Sequence, residues 1–340
     1  MTRSELPVGW TLRPATMDDL DGAVDLFNAR SQRFHGENQS TLQEIQSWWT
    51  SPRFKMADDL RVAIDHSGKL AATTHVNDPG EPYAGIGCAV VVDPVYEDDE
   101  SLWDALHAWA LQRIDEYVAL AAPEIRVAAL TSAYAGDAAR RAAIERAGFE
   151  LVRVGNRMRI EMSESPSTPK WSDGISVRTA NVESDLRAIA AADVEAFRDH
   201  WGYVERPFEK ELEGWQEFIE AEGDLHDPTL WFLACDGKEV AGVAICNGHI
   251  ADDTTRGYVA SLAVRPAWRR RGIGLALLQH AFGEFYRRGQ SIAELDMDSE
   301  NLTGALRLYE RAGMHVVRQG LSYEKELRPG IDVATRELAE

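Results

Sequence analysis

The sequence is poor in cysteine and has no long apolar run. Cys88, Cys235 and Cys246 are the three cysteines of 340 residues. They are scattered, odd in number and without C-x-x-C spacing. That argues against a disulfide framework or a zinc site and fits reduced thiols in a cytoplasm. No stretch of ~18 apolar residues occurs, so no membrane span is expected. The opening "MTRSELPVGWTLRPATMDDLD" has no apolar h-region, so no secretory signal is expected. Positive charge is also scarce: 36 Lys+Arg face 56 Asp+Glu, for a net charge of −20. A field of that sign repels nucleic acid and anionic membranes and favours cationic partners. An anionic ligand then needs a local basic island, and the arginine run beginning at Arg269 is one.

What is present is a repeat. "GWTLRPATMDDLDG" resembles "GISVRTANVESDLR", and "IERAGFELVR" resembles "YERAGMHVVR"; Arg13 matches Arg178 and Gly148 matches Gly313, both 165 residues on. Between them Pro94 matches Pro266, 172 residues on. So long a period means duplicated domains. The Ser- and Pro-rich stretch "MSESPSTPKWSDG" reads as the join. The expected layout is a domain over 1–162, a linker over 163–172, a domain over 173–330 and a polar tail over 331–340.

Each half alternates helix and strand signals. In the second, "ISVRTA" predicts a strand, "ESDLRAIAAADVEAF" and "RPFEKELEGWQEFIEAEG" two helices, and "LWFLACDGKEVAGVAIC" a hairpin. A strand "RGYVASLAV", a helix over 272–288, a strand "SIAELDMD" and a helix closed by Gly313 follow. "MHVVRQGLSYEKEL" predicts a final strand pair. The fold class is α+β: two tandem domains, each a mixed, mostly antiparallel sheet with helices on both faces.

"VRPAWRRRGIG" places Arg269 to Gly274 at a helix start. The unpaired amides and the dipole there favour phosphate. Gly272 and Gly274 lack a Cβ that would hold a pyrophosphate off the backbone, and arginines bond phosphate oxygens. The hexapeptide alone fits equally a solvated helix start with turn glycines. Followed by "ELDMDSENLTGALRLYERAGM", however, the segment resembles the GNAT acetyltransferase superfamily. The two-domain layout resembles tandem-GNAT proteins such as mycothiol synthase, in architecture only.

The resemblance implies acetyl-CoA as cosubstrate and no metal. It assigns Arg269, Arg270, Arg271, Gly272, Ile273 and Gly274 to the pyrophosphate, Leu262, Ala263 and Val264 to the pantetheine arm, and Asn301 to the coenzyme arm. It sets Tyr309 beside the thioester sulfur. A tyrosine suits the donation of a proton to the leaving thiolate, and a backbone N–H near Val264 suits the oxyanion. Glu294, Asp296, Asp298, Asp199 and His200 are all open as general base. "EAFRDHWGYVERPF" places Phe197, His200, Trp201 and Tyr203 where GNAT folds shape an acceptor pocket.

The first copy, "VDPVYEDDESL", carries Glu97, Asp98, Asp99 and Glu100 where the second has arginines and glycine. Like charges at ~4 Å cost about 1 kcal/mol in water and more when desolvated. Ile144 stands where the second half has Tyr309. The first domain is thus expected to keep the fold without the coenzyme loop. Its open roles are packing on the second, covering a sheet edge, or walling the acceptor pocket with the aromatics of "SQRFHGENQSTLQEIQSWW". The expected protein is a cytoplasmic N-acetyltransferase, monomer or homodimer. Its C-terminal domain is expected to move acetyl to a primary amine, with no nucleic acid and no membrane as partner and with a small and cationic acceptor favoured. Protein N-terminal or lysine acetylation, or acetyl-CoA binding without catalysis, are the alternatives.

Overall fold

A computed structural model describes residues 6–222, 226–251, 253–299 and 304–336. They form two compact units. One holds the described residues up to Val154 together with Gly320–Val333; the other holds the described residues of Gly155–Gln319 together with 334–336. Among the described residues no helix is long and apolar enough to cross a membrane.

The first unit runs β1 (Thr11–Pro14), α1 (Leu20–His35), α2 (Leu42–Trp49), α3 (Met56–Asp59), β2 (Leu60–Ile64), β3 (Leu70–Asn77), β4 (Gly85–Val92), α4 (Glu100–Val118), β5 (Val127–Tyr134) and α5 (Ala138–Arg146). Its strands lie in chain order, antiparallel except for a short parallel pairing of β4 with β5.

The second unit starts within β6 (Glu150–Glu161) and continues through β7 (Ile175–Thr179), α6 (Val182–Phe197), α7 (Phe208–Glu222), β8 (Trp231–Asp236), β9 (Glu239–Asn247), β10 (Arg256–Val264), α8 (Ile273–Arg287), β11 (Ile292–Asp298) and α9 (Ala305–Arg311). The strand order β7-β8-β9-β10-β11 repeats that of the first unit. The duplication extends to side chains. Arg13 holds Asp19 in a two-pronged ion pair, and Arg178 holds Asp185 in the same way.

The run "WFLAC" explains how the second sheet is covered on both faces. Alternation sends Trp231, Leu233 and Cys235 to one side, against Ile189, Ala192 and Ala196 of α6. Phe232 and Ala234 point to the other, against Leu277, Leu278, Phe282 and Phe285 of α8. Close approach of α8 requires Gly257, where a Cβ would lie 2.6 Å from the Phe285 ring.

The units differ from the contiguous halves 1–162 and 173–330. Each sheet is finished by the last strand of the other repeat. β6 pairs antiparallel with β11, from Asp298↔Gly155 to Ile292↔Glu161, inside the second unit. The last strand, β12 (His315–Arg328), pairs antiparallel with β5, from Gly320↔Tyr134 to Arg328↔Val127, inside the first. β12 is also one long strand where a strand pair was expected. The borrowed strand is anchored by Arg126, which reaches Glu324 and Glu326, and by Lys325, which donates to the Ala147 carbonyl. The two terminal strands follow near-identical helix ends, so their sequences do not reveal which sheet each completes.

The stretch expected as a tail from 331 is used as well. Ile331 donates to the Glu124 carbonyl in the first unit. In the second, Gly202 donates to Thr335 and Thr335 to Tyr203, and Arg336 lies over Trp201.

A chain of 173–340 alone lacks β6. It leaves the β11 edge open and removes Arg157 and Arg159 from the buried Glu294. Expressed alone, that fragment is expected to aggregate or to lose a cooperative melt by circular dichroism. A soluble fragment with a sharp transition would contradict the strand exchange.

Candidate active site

The site begins where two strands part. β10 pairs with β11 for three residues, Arg256↔Ile292 to Tyr258↔Glu294. On its other edge it stays with β9 as far as Val264↔Gly242, with a bulge at Ala260. Beyond Tyr258 the strands open on a cavity of 630 Å³, walled by Val259–Val264 on one side and Leu295–Asp298 on the other. Arg265 N donates to the Ala241 carbonyl. Antiparallel alternation then turns the N–H groups of Leu262 and Val264 away from β9, toward the opening.

Charged groups fasten the base of the opening. Glu294, 1% exposed, receives Arg157 and Arg159 from β6. Arg157 also grips Asp296 at 2.6 and 2.7 Å, and the Tyr258 hydroxyl donates to Asp296 at 3.1 Å. Burial pushes the Tyr258 hydroxyl up to about 12. Glu294 therefore acts as a buried strut, whereas Asp296 and Asp298 line the cavity.

The arginine loop divides its labour. Arg269 lines the cavity, but its guanidinium donates to Asp199, to the Ala196 carbonyl and to the Val264 carbonyl. It ties the loop to the end of α6, and it holds the Asp199 carboxyl below its usual range. Arg271 turns to Asp236 and the Asp173 carbonyl and is not among the lining residues. Arg270 lines the cavity and makes no ion pair among the described residues. Its φ is +65° and that of Gly272, the residue before α8, is +78°. No side chain caps α8, and a Cβ at Gly272 would meet nothing within 4 Å, so its first amides face open space. Gly274 has a different task, because a Cβ there would lie 3.1 Å from Leu308 of α9. Ile273 is buried, and only its backbone is available.

Tyr309 lines the same cavity from α9, and burial pushes its hydroxyl up to about 12. It is protonated at neutral pH. Leu262, Ala263 and Val264 line the cavity too; Ala263 sends its side chain into the α6 core. Asn301 lies outside the described residues. Phe197 and His200 line the cavity, their rings 4.6 Å apart, and burial lowers the His200 imidazole. Trp201 and Tyr203 do not line it; they belong to the loop that residues 334–336 cover.

Three residues of the site escaped the sequence. Arg307 and Arg311, one helical turn apart on α9, line the cavity and make no ion pair among the described residues. Their spacing in "ALRLYERAG" was the available signal. Asp193 of α6 accepts a hydrogen bond from the cavity-lining Ser261 at 2.7 Å, and burial raises its carboxyl to about 6. Nothing local marks it, since its position depends on α6 packing over β10.

The first unit has a different helix start. Asp99 accepts from Leu102 N at 3.1 Å and caps α4, so the acidic stretch satisfies the amides that α8 leaves open. Ile144 is fully buried in the core.

The two arginines should separate in a thermal melt. Arg269→Ala removes charge-assisted bonds worth about 1.5–3 kcal/mol and is expected to lower Tm by several degrees. Arg270→Ala is expected to leave Tm unchanged. Equal melting of both variants would contradict the division.

Comparison with known proteins agrees with this geometry. Residues 191–314 match the acetyltransferase (GNAT) family. A mycothiol acetyltransferase of Streptomyces scabiei is 29% identical over 196 residues, 57% of this chain and 60% of that protein. The N-alpha-acetyltransferase 30 of Schizosaccharomyces pombe is 34% identical over 89 residues, 25% of this chain and 57% of that protein. The chain thus matches less than two thirds of the length of these curated relatives. A GCN5-related N-acetyltransferase structure from Sphaerobacter thermophilus covers 96% of this chain and 99% of its own at a TM-score of 0.80 and 29% identity. Residues 191–314 thus form a GNAT acetyltransferase domain, and two units of one strand order give the chain a tandem-GNAT layout.

Proposed function

We propose that the second unit transfers an acetyl group from acetyl-CoA to the primary amine of a small molecule. One observation carries this reading: the opening between β10 and β11 joins an uncapped, arginine-flanked helix start to a protonated tyrosine and a carboxylate wall. The fit to acetyl-CoA is chemical. Arg270, Arg307 and Arg311 offer cations to phosphates, the first amides of α8 offer N–H groups, and the parted edge of β10 offers the N–H groups of Leu262 and Val264 to an amide-bearing arm. When bound, acetyl-CoA supplies the activated acyl group.

The chain's own groups do the rest. The Val264 N–H meets negative charge developing on the acetyl oxygen. Tyr309 gives its proton to the departing sulfur and regains one from solvent. Ser261 takes the proton of the attacking amine while passing its own to Asp193. Asp296 and Asp298 give the acceptor side a negative field suited to an ammonium substrate. The longer match to the mycothiol enzyme, compared with the N-alpha-acetyltransferase, supports a small-molecule acceptor. Three buried free thiols support a cytoplasmic setting.

Tyr309→Phe is expected to lower kcat by roughly 10²–10⁴-fold with acetyl-CoA affinity held. Unchanged kcat, measured by thiol release over a panel of small amines and N-terminal peptides, would remove it from the mechanism; turnover of peptides alone would replace the acceptor class.

Asp193 must be ionised to accept a proton, so kcat/KM is expected to rise with pH through about 6. Ser261→Ala removes a bond that favours the carboxylate, and the acid limb is expected to move to higher pH. An acid limb unmoved in both Ser261→Ala and Asp193→Asn would exclude the pair.

A further inference from the structure

Residues 198–207 join α6 to α7. Two of them, Asp199 and His200, line the cavity beside Phe197, the last residue of α6. Short turns shape the start of this loop. His200 N donates to the Phe197 carbonyl at 2.9 Å and Tyr203 N to the His200 carbonyl at 3.2 Å, and Gly202 takes φ +78°. The His200 imidazole touches the Phe197 ring at 4.6 Å and makes no side-chain hydrogen bond among the described residues. Its place in the cavity is therefore set by its backbone.

That backbone is held on both sides of His200. On one side Arg269 grips the Asp199 carboxylate with both terminal nitrogens. On the other, residues 334–336 lie along the loop as a short antiparallel ladder. Gly202 N donates to the Thr335 carbonyl at 2.7 Å, Thr335 N to the Tyr203 carbonyl at 2.8 Å, and Val204 bridges to Ala334. The Thr335 hydroxyl reaches the Arg198 carbonyl at 3.4 Å. The Arg336 guanidinium lies over the Trp201 ring, 4.8 Å from its centre, a cation–π contact. All of these groups belong to the second unit. None of residues 334–336 lines the cavity.

We propose that Thr335 and Arg336 are positioning residues for the acceptor amine: pairing with Gly202 and Tyr203 and covering Trp201, they fix the turn that presents His200 to the cavity. This rests on the reading that the second unit acetylates an amine. The two holds divide their work. Arg269 ties Asp199 to the coenzyme loop, whereas Thr335 and Arg336 act on the loop beyond His200. Ordering a loose loop costs conformational entropy, and a ligand that needs the ordered form must supply it on binding. With the ladder in place that cost is met during folding. Without it, the cost falls on the acceptor and leaves acetyl-CoA largely untouched, because Arg269 keeps Asp199 in either case.

The test uses the full-length protein, with tyramine, spermidine, glucosamine and N-terminal peptides as acceptors and thiol release as readout. Thr335→Pro removes the N–H given to Tyr203, and Arg336→Ala removes the cation over Trp201. Each is expected to raise the KM of the amine roughly fivefold or more, with the KM of acetyl-CoA changed less than about twofold. Thr335→Ala keeps the N–H and Arg336→Lys keeps the cation, and both are expected to fall between these variants and the parent. In a His200→Ala background, Arg336→Ala is expected to add less than about twofold, because the residue it positions is gone. If Thr335→Pro fails to fold, Arg336→Ala decides. A parent that acetylates none of the acceptors overturns the transfer reading and this proposal with it. With an active parent, three results overturn the proposal alone: an unchanged amine KM in the folded variants, equal rises in KM for amine and acetyl-CoA, or full additivity of Arg336→Ala with His200→Ala.

Discussion

The molecule depends on the place where β10 and β11 stop pairing. Three residues of parallel ladder hold them, and the bond from Tyr258 to Asp296 closes that ladder. Past it, each strand has a different reason to continue alone. β10 stays on β9 through a bulge at Ala260, and β11 stays on β6 through the arginines that hold Glu294 and Asp296. Exposed strand edges normally invite another strand. Here the edges face a cavity that joins a basic helix start to an acidic strand end. In a chain of net charge −20, that local reversal concentrates positive charge where an anionic ligand would sit.

The two repeats share one framework and differ at one helix start. The helix start after β10 is left open by Gly272, while the one after β4 is closed by Asp99.

Much of this was visible in the sequence. The repeat, the fold class and the helix start at Gly272 depend on local patterns and on turn chemistry, whereas Tyr309 was singled out by the family resemblance and not by any local pattern. The strand exchange was not visible, because "ERAGFELVR" and "ERAGMHVVR" are equivalent as patterns and pairing partners are a property of tertiary structure. Nor did adjacency along the chain separate the three arginines. Arg269 is drawn to Asp199 and the end of α6, Arg271 to the β8–β9 turn, and of the three only Arg270 makes no ion pair among the described residues. Trp201 and Tyr203 looked like pocket residues because they are large and lie in a loop, but residues 334–336 pair with that loop. Asp193 was invisible for the opposite reason. It is one acid in an ordinary amphipathic helix until α6 packs against Ser261.

Amide hydrogen exchange along β10 tests the central claim most directly. If the opening between β10 and β11 receives the coenzyme arm, acetyl-CoA slows exchange at Leu262 and Val264 while the already paired amides of Ser261 and Ala263 change little. Protection that appears in β4 of the first unit, or nowhere along β10, would contradict it.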